Sequence, residues 1–233
     1  DKTTMSVFEM CEKCRREYED PKDRRFHAQP NSCWECGPNV SLLKSPNLDL
    51  LKQGVEAIEE SARLLKEGKI LAIKSLGGYQ LACDALNDEA VQKLRERKRR
   101  IAKPFALMAK SIKMVEEFCK LNDKEKELLL SFRRPIVLLR RKEDAKIANS
   151  VAPFNKYLGF MLPYTPLHFL LFKYLDIPLV MTSGNITDEP IYYKDELAFE
   201  KLKDIADYLL THNREIHIRC DDSVTRVFIS GDG

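Results

Sequence analysis

The chain has 233 residues, of which 44% are hydrophobic and 32% charged, with a formal net charge of +3. This length suits one large α/β domain, or one domain with a small satellite, and the apolar content is enough to bury a core, which excludes global disorder. No apolar run reaches the about 18–20 residues of a membrane span, and the opening Asp1-Lys2-Thr3-Thr4-Met5 has no apolar stretch of signal type, reading instead as a cut from a longer chain.

In chain order, residues 1–44 stand apart. They hold four of the seven cysteines, the single tryptophan and Pro21, Pro30 and Pro38, with little apolar periodicity. So small a unit needs a staple. Residues 45–53 read as a linker. From 54 to 233 the pattern alternates between helix and strand. A helix over 55–67 places Ile58, Ala62 and Leu65 on one face and stops at Gly68. A buried strand over 69–74 runs into a glycine turn, Leu76-Gly77-Gly78-Tyr79. Residues 87–98 form a helix with Asn87 as its cap, followed by a strand over 105–109. Helices are predicted over 111–120 and 123–131, a strand over 135–139, a loop over 142–157 and a strand over 158–162. Thr165-Pro166 opens a helix that runs to Tyr174. A strand over 178–182 ends in Ser183-Gly184-Asn185. A helix near 194–201 and strands near Tyr208, Ile216 and Val224 complete the chain. The alternation predicts an α/β fold with a mixed sheet.

Cys11-x2-Cys14 and Cys33-x2-Cys36 lie 18 residues apart, the spacing of a structural zinc site with four thiolate ligands. Two disulfides or redox-active pairs are the alternatives. Disulfides do not fit an odd cysteine count in a reducing, cytoplasmic setting, and redox pairs lack a βαβ context. Gly37 follows the last cysteine, where such loops turn tightly. His27, between the pairs, reads as a surface or packing residue. Cys83, Cys119 and Cys220 read as small buried hydrophobes.

Charge is unevenly spread. Residues 93–103 carry a local +6 and residues 133–142 a local +5, so the remainder is acidic. Two such blocks point to an anionic partner: a nucleotide, a phosphate or nucleic acid. Arg97-Lys98-Arg99-Arg100 sits at a helix end, where four successive cations repel unless an anion neutralises them. A solvated helix face is the plainer alternative. Lys74 before the glycine turn, and Thr182-Ser183-Gly184-Asn185 at a strand end, have the makings of an anion site, though each also suits an ordinary turn. Asp221-Asp222 could hold Mg²⁺ or pair locally with Arg219.

These pieces resemble the HypF family of hydrogenase-maturation carbamoyltransferases, specifically the second zinc-finger half and the YrdC-like domain. The matching stretches are Cys11–Cys14 with Glu17-Tyr18, residues 23–28, residues 31–38 (NSCWECGP), 76–85 (LGGYQLACDA) and 97–108 (RKRRIAKPFALM). They continue with 158–167 (LGFMLPYTPL), 181–191 (MTSGNITDEPI), His212-Asn213-Arg214 and 219–226 (RCDDSVTR). The resemblance implies a zinc-finger module over 1–44 and a YrdC-like twisted mixed sheet flanked by helices over 54–233. It implies that the domain forms carbamoyl-adenylate from ATP and a carbamate derived from carbamoyl phosphate, releasing pyrophosphate. The carbamoyl group then passes, in the full-length protein, to the C-terminal cysteine of HypE.

Threonylcarbamoyl-adenylate synthases of tRNA modification share the fold and are the alternative; a double-stranded RNA or nucleotide-binding module without catalysis is another. By resemblance Lys98 and Arg100, Tyr79, Ser183, Asn185 and Ser223 are the site residues. On this reading Lys98, Arg100 and Lys103 handle the triphosphate and the carbamate, Lys74 and Arg226 complete a cationic wall, Tyr79, Ser183, Asn185 and Ser223 line the nucleotide and substrate pocket, and Mg²⁺ accompanies the ATP. Cys11, Cys14, Cys33 and Cys36 hold zinc. Two departures from the family pattern, Ser75 and Ile101, stand where Gly and Pro are usual.

Overall fold

The computed structural model describes residues 3–28, 31–187 and 189–228. Among these, seven α-helices and eleven strands follow one another along the chain. A short helix α1 (Glu12–Glu19) leads to the hairpin β1 (Val40–Lys44) and β2 (Asp49–Gln53). Then come α2 (Gly54–Lys66), β3 (Leu71–Lys74), β4 (Tyr79–Asp84), α3 (Asp88–Lys98) and β5 (Ala106–Met108). They are followed by α4 (Ile112–Phe118), β6 (Cys119–Lys120), α5 (Asp123–Leu130), β7 (Ile136–Arg141) and β8 (Tyr157–Met161). The last elements are α6 (Pro166–Leu171), β9 (Leu179–Ser183), α7 (Asp195–Leu202), β10 (Tyr208–His212) and β11 (Val224–Thr225).

All strands join one mixed sheet in the order β11-β7-β8-β5-β9-β4-β3-β10-β1-β2, with β6 beside β7. β3 and β4 lie at its centre and are buried on both faces, so their apolar residues do not alternate with solvent-facing ones. Side chains alternate across the sheet. Ala72, Leu81, Leu107 and Val180 pack on one face with α3, α4 and α7; Ile73, Ala82, Met108 and Met181 pack on the other with α2 and α6.

The helices begin where local chemistry starts them. Asn87 accepts from Ala90 N at 3.1 Å, Asn122 and Glu125 form a reciprocal capping box, and Thr165 caps α6 with Pro166 in its first turn. Gly68 leaves α2 at φ +76°.

Three sequence expectations differ from the structure. The predicted linker 45–53 contains β2, and β1 enters the main sheet beside β10; the alternation in so short a hairpin is too weak to read. β4 lies within the stretch read only as a turn and its sequel, because a strand buried on both faces shows no period of two. No strand forms at Ile216. Residues 213–223 instead cross the end of the sheet as an irregular strap, from β10 to β11.

Candidate functional site

The cysteine quartet is brought together by α1, which starts directly after Cys11 and buries Cys14, and by the turn over 33–36. The four sulfurs lie within 4.8 Å of one another, with Cys11–Cys33 at 3.7 Å and Cys33–Cys36 at 3.8 Å. Zn–S bonds of about 2.3 Å in a tetrahedron demand S···S edges of about 3.8 Å, whereas a disulfide needs about 2.05 Å. The donor set therefore fits zinc. A Cβ on Gly37 would stand 2.7 Å from Cys33 O, which is why the loop needs glycine there. Backbone hydrogen bonds at Cys11 and Cys33 pull the Cys36 thiol down to about 6, while burial pushes the Cys14 thiol up to about 12. His27 stacks on Tyr18 at 4.9 Å, as a packing residue does.

Lys98 is the last residue of α3 and is only 1% exposed. Its Nζ donates to Ser183 O at 2.5 Å, Asn185 O at 2.7 Å and Asn185 Oδ1 at 2.5 Å; Ser183 Oγ donates to the same Asn185 Oδ1 at 2.9 Å. No carboxylate faces this ammonium among the described residues. Burial, then the charges of Arg100 and Lys103, pull the amine down to about 7, against three carbonyl oxygens that favour the ammonium. Thr187 Oγ1 donates to Lys98 O at 2.8 Å and fastens the 183–187 loop to the end of α3.

The other cations of the run do not converge. Arg97 pairs with Asp207 at 2.8 Å, Arg99 turns out of the helix at φ 55°, and Arg100 donates to Lys103 O at 3.1 Å and Pro104 O at 2.6 Å. Arg95 is buried against five backbone carbonyls. Mutual repulsion in the run is thus relieved by direction and by carbonyls; Lys98, bonded to three carbonyl oxygens with Arg100 and Lys103 beside it, faces no carboxylate among the described residues.

Lys74 and Tyr79 meet across the β3–β4 pair. Lys74 Nζ is 2.7 Å from Asp195 Oδ1 and 2.9 Å from His212 O. Tyr79 donates to Asp195 Oδ1 at 2.7 Å and lies 2.8 Å from Thr211 Oγ1. Lys74 is therefore a buried ion-pair partner rather than the free cation its sequence context suggested. Tyr79 is a core residue whose hydroxyl is already committed, its ionisation pushed far up by burial and by Asp195. Asp195 could not be identified from sequence, since it lies 116 residues from Tyr79.

The glycine turn closes a hairpin through Ser75 N to Gly78 O at 2.9 Å. A Cβ on Gly77 would meet Cys220 O at 2.3 Å, and one on Gly78 would meet Ile191 Cγ1 at 2.6 Å. The glycines admit the strap and the 184–192 loop. Cys83 and Cys119 are buried as expected, but Cys220 is exposed on that strap.

Ser223 and Arg226 are both exposed. Ser223 O accepts from Ile136 N at 2.8 Å, and Arg226 stacks over Tyr157 at 4.4 Å. Asp222 turns inward: Gln80 Nε2 donates to its Oδ2 at 2.7 Å, and burial raises its carboxyl above the ordinary range. Tyr164 OH accepts from Gln80 Nε2 at 2.8 Å and from Ser75 Oγ at 3.3 Å. Of the two departures from the family pattern, Ser75 thus joins this network, while Ile101 is 94% exposed.

The end of the sheet thus gathers Lys98, Arg100, Ser183 and Asn185 beside Tyr79, whose O accepts from Gly184 N at 2.6 Å. A cavity of about 630 Å³ lies beyond Ser75, bounded by Thr4 and Pro38, by Thr165–Leu167 and by the strap. A second, of about 400 Å³, adjoins Asp195; Lys74 borders both. Lys98, Arg100, Ser183 and Asn185 line neither. The arrangement offers charge and hydrogen bonds to an anion, without a nucleophile–base pair.

A family model described as "Telomere recombination" (Sua5, YciO, YrdC) matches residues 63–232, and a "HypF finger" model matches residues 10–43. The carbamoyltransferase HypF of Rhodobacter capsulatus is 47% identical over 97% of this chain and 30% of its own length. A threonylcarbamoyl-AMP synthase of Hydrogenovibrio crunogenus is 29% identical over 57% of the chain and 74% of its own length. Among solved structures, full-length HypF in a phosphate- and nucleotide-bound form superimposes with a TM-score of 0.85 at 52% identity, covering 97% of this chain and 29% of that one. T. kodakarensis HypF gives 0.87 at 46% identity, covering 96% and 29%. The chain spans about a third of the length of the HypF relatives it matches. No helix of the described residues is long and apolar enough to cross a membrane.

Proposed function

The chain belongs to the Sua5/YciO/YrdC family, in the form that HypF proteins carry behind a HypF finger, and from that premise we propose that it is the adenylate-forming part of a carbamoyltransferase. Its domain, residues 54–233, joins a carbamate derived from carbamoyl phosphate to the AMP moiety of ATP. A carbamate oxygen attacks the α-phosphorus, the bond to the bridging oxygen breaks, and pyrophosphate leaves with the electron pair. The carbamoyl group then goes to a cysteine thiol of a partner, the HypE C-terminus by family resemblance. The finger, residues 1–44, holds structural zinc through Cys11, Cys14, Cys33 and Cys36, and the β1–β2 hairpin ties it to the domain.

The observation that carries this reading is Lys98: a buried ammonium with no acid partner among the described residues, held at a strand end beside Ser183 and Asn185. Such a group awaits an anion. Lys98, Arg100 and Lys103 take the phosphates and the carbamate, with Mg²⁺ accompanying ATP. Ser183 and Asn185 hold the reacting groups in line, and Ser223 and Arg226 close the site as the strap moves onto the nucleotide. Lys74 and Tyr79 stiffen the wall. Displacement at phosphorus needs alignment and charge stabilisation, not a covalent residue.

ATP–pyrophosphate exchange tests this. Exchange that depends on carbamate or carbamoyl phosphate, and falls about 100–1,000-fold in Lys98→Met, is the expected result. Exchange driven instead by threonine and bicarbonate would move the chain to the tRNA-modifying branch. Salt-sensitive RNA binding without exchange would leave a binding module.

A further inference from the structure

We propose that Gln80 is the specificity-determining group for the amino end of the carbamoyl substrate, its side-chain oxygen accepting an N–H from the substrate's NH₂. The inference rests on the adenylation reading above and deepens it.

Gln80 sits in β4, at the centre of the sheet, and is 1% exposed. Its Nε2 spends its hydrogens on Asp222 Oδ2 at 2.7 Å and Tyr164 OH at 2.8 Å. Asp222 Oδ2 accepts one of these hydrogens, which turns the amide nitrogen toward Asp222. Oε1 is thereby turned away from its own network, and it is buried with no hydrogen-bond partner. Buried acceptors without partners are rare and costly, and each needs a reason.

The register supplies one. Gln80 stands directly opposite Ser183 in the antiparallel β4–β9 pair, which puts the two side chains on one face with Cβ atoms about 5 Å apart. Ser183 Oγ is 2.9 Å from Asn185 Oδ1, and that oxygen is 2.5 Å from Lys98 Nζ. One row of side chains therefore runs from a cation that faces no carboxylate among the described residues, through a hydroxyl, to an unpaired acceptor. Ser75 borders the large cavity and touches the same network through Tyr164 at 3.3 Å, while Gln80 and Ser183 themselves lie behind the cavity wall.

Carbamate has the matching polarity. Its carboxylate end suits Lys98 and is repelled by a bare carbonyl oxygen, while its NH₂ end carries donors and no charge. Gln80 Oε1 thus orients the small acid with an oxygen toward the nucleotide. Acetate has the same size and the same carboxylate, but a methyl group where carbamate has NH₂. It leaves Oε1 unpaired.

The test is ATP–pyrophosphate exchange by this chain with freshly dissolved ammonium carbamate or with acetate as the acid, in wild type and in Gln80→Met. Wild type is expected to favour carbamate in kcat/KM by about 10- to 100-fold, the cost of leaving one buried acceptor unpaired. Gln80→Met should lose that preference through a higher KM for carbamate, with KM for ATP unchanged within twofold. A merely structural glutamine would move both KM values or neither. Exchange with equal preference for the two acids in wild type overturns the inference, as does a folded Gln80→Met that keeps the preference. If the variant does not fold, the wild-type preference alone decides. Absence of exchange with any acid would instead remove the adenylation reading on which the inference stands.

Discussion

ATP binding should take up a proton, and Lys98 is the reason. Its amine falls from 10.5 to about 7 in the folded chain, so holding it charged in the free protein costs on the order of 5 kcal/mol at about 1.4 kcal/mol per unit. At pH 8 such an amine is about one-tenth protonated. A phosphate placed beside it restores the ammonium, so the complex binds about 0.9 proton more than the free components at pH 8, and about 0.1 at pH 6. The sign follows from linkage: because the complex holds more protons, apparent affinity weakens as pH rises above 7, by about tenfold per unit. Calorimetric titrations with ATP at pH 8, in buffers of different ionisation enthalpy, read the uptake directly. Lys98→Arg keeps a cation that does not deprotonate, and its uptake should vanish. Tight binding at pH 8 with no proton uptake in wild type, or the same uptake in Lys98→Arg, would refute the assignment of Lys98 to the phosphates.

His168 is fully buried, neither ring nitrogen has a partner, and burial holds it down to about 3. The unfolded chain therefore binds a proton below about pH 6.5 that the native chain refuses until about pH 3, so stability falls as pH drops through that window. The loss is about 2.7 kcal/mol at pH 4.5, and His168→Leu should flatten the acid limb of a denaturation series. Asp195→Ala strands the buried Lys74 ammonium and should cost about 3 kcal/mol in urea melts; a change under 1 kcal/mol would mean that the pair contributes little. Gly77→Ala drives a methyl into Cys220 and should destabilise by about 1–3 kcal/mol, with faster amide exchange confined to the strap and the β3–β4 turn. Chelation of zinc, or Cys14→Ser, should unfold the finger by circular dichroism and leave the ATP dissociation constant within about threefold; loss of nucleotide binding would tie the finger to the site.

Short-range chemistry was legible in the linear chain. Caps at Asn87 and Thr165, the glycine stop at Gly68 and the cysteine spacing each depend on residues within a turn or on one metal's geometry, so they survive without knowledge of the fold. The basic run was legible as charge but not as direction. Sequence offered four adjacent cations, and only the helix end and its surrounding carbonyls single out Lys98 as the one buried without an acid among the described residues. The strands that flank the site were harder. β4 is buried on both faces and carries polar Gln80 and Asp84 among apolar residues, so it shows no period of two, and β2 is exposed along its whole length.

What only tertiary structure decided is the pairing of groups distant in sequence. Asp195 reaches Lys74 across 121 residues, and Asp222 reaches Gln80 across 142. Those contacts turn Lys74 from an anion ligand into an ion-pair partner and leave one oxygen of Gln80 unpaired. Composition and spacing determine which chemical groups a chain owns. Burial and strand register determine which of them are left with unmet charge or an unmet hydrogen bond, because both depend on what the fold brings within 3 Å.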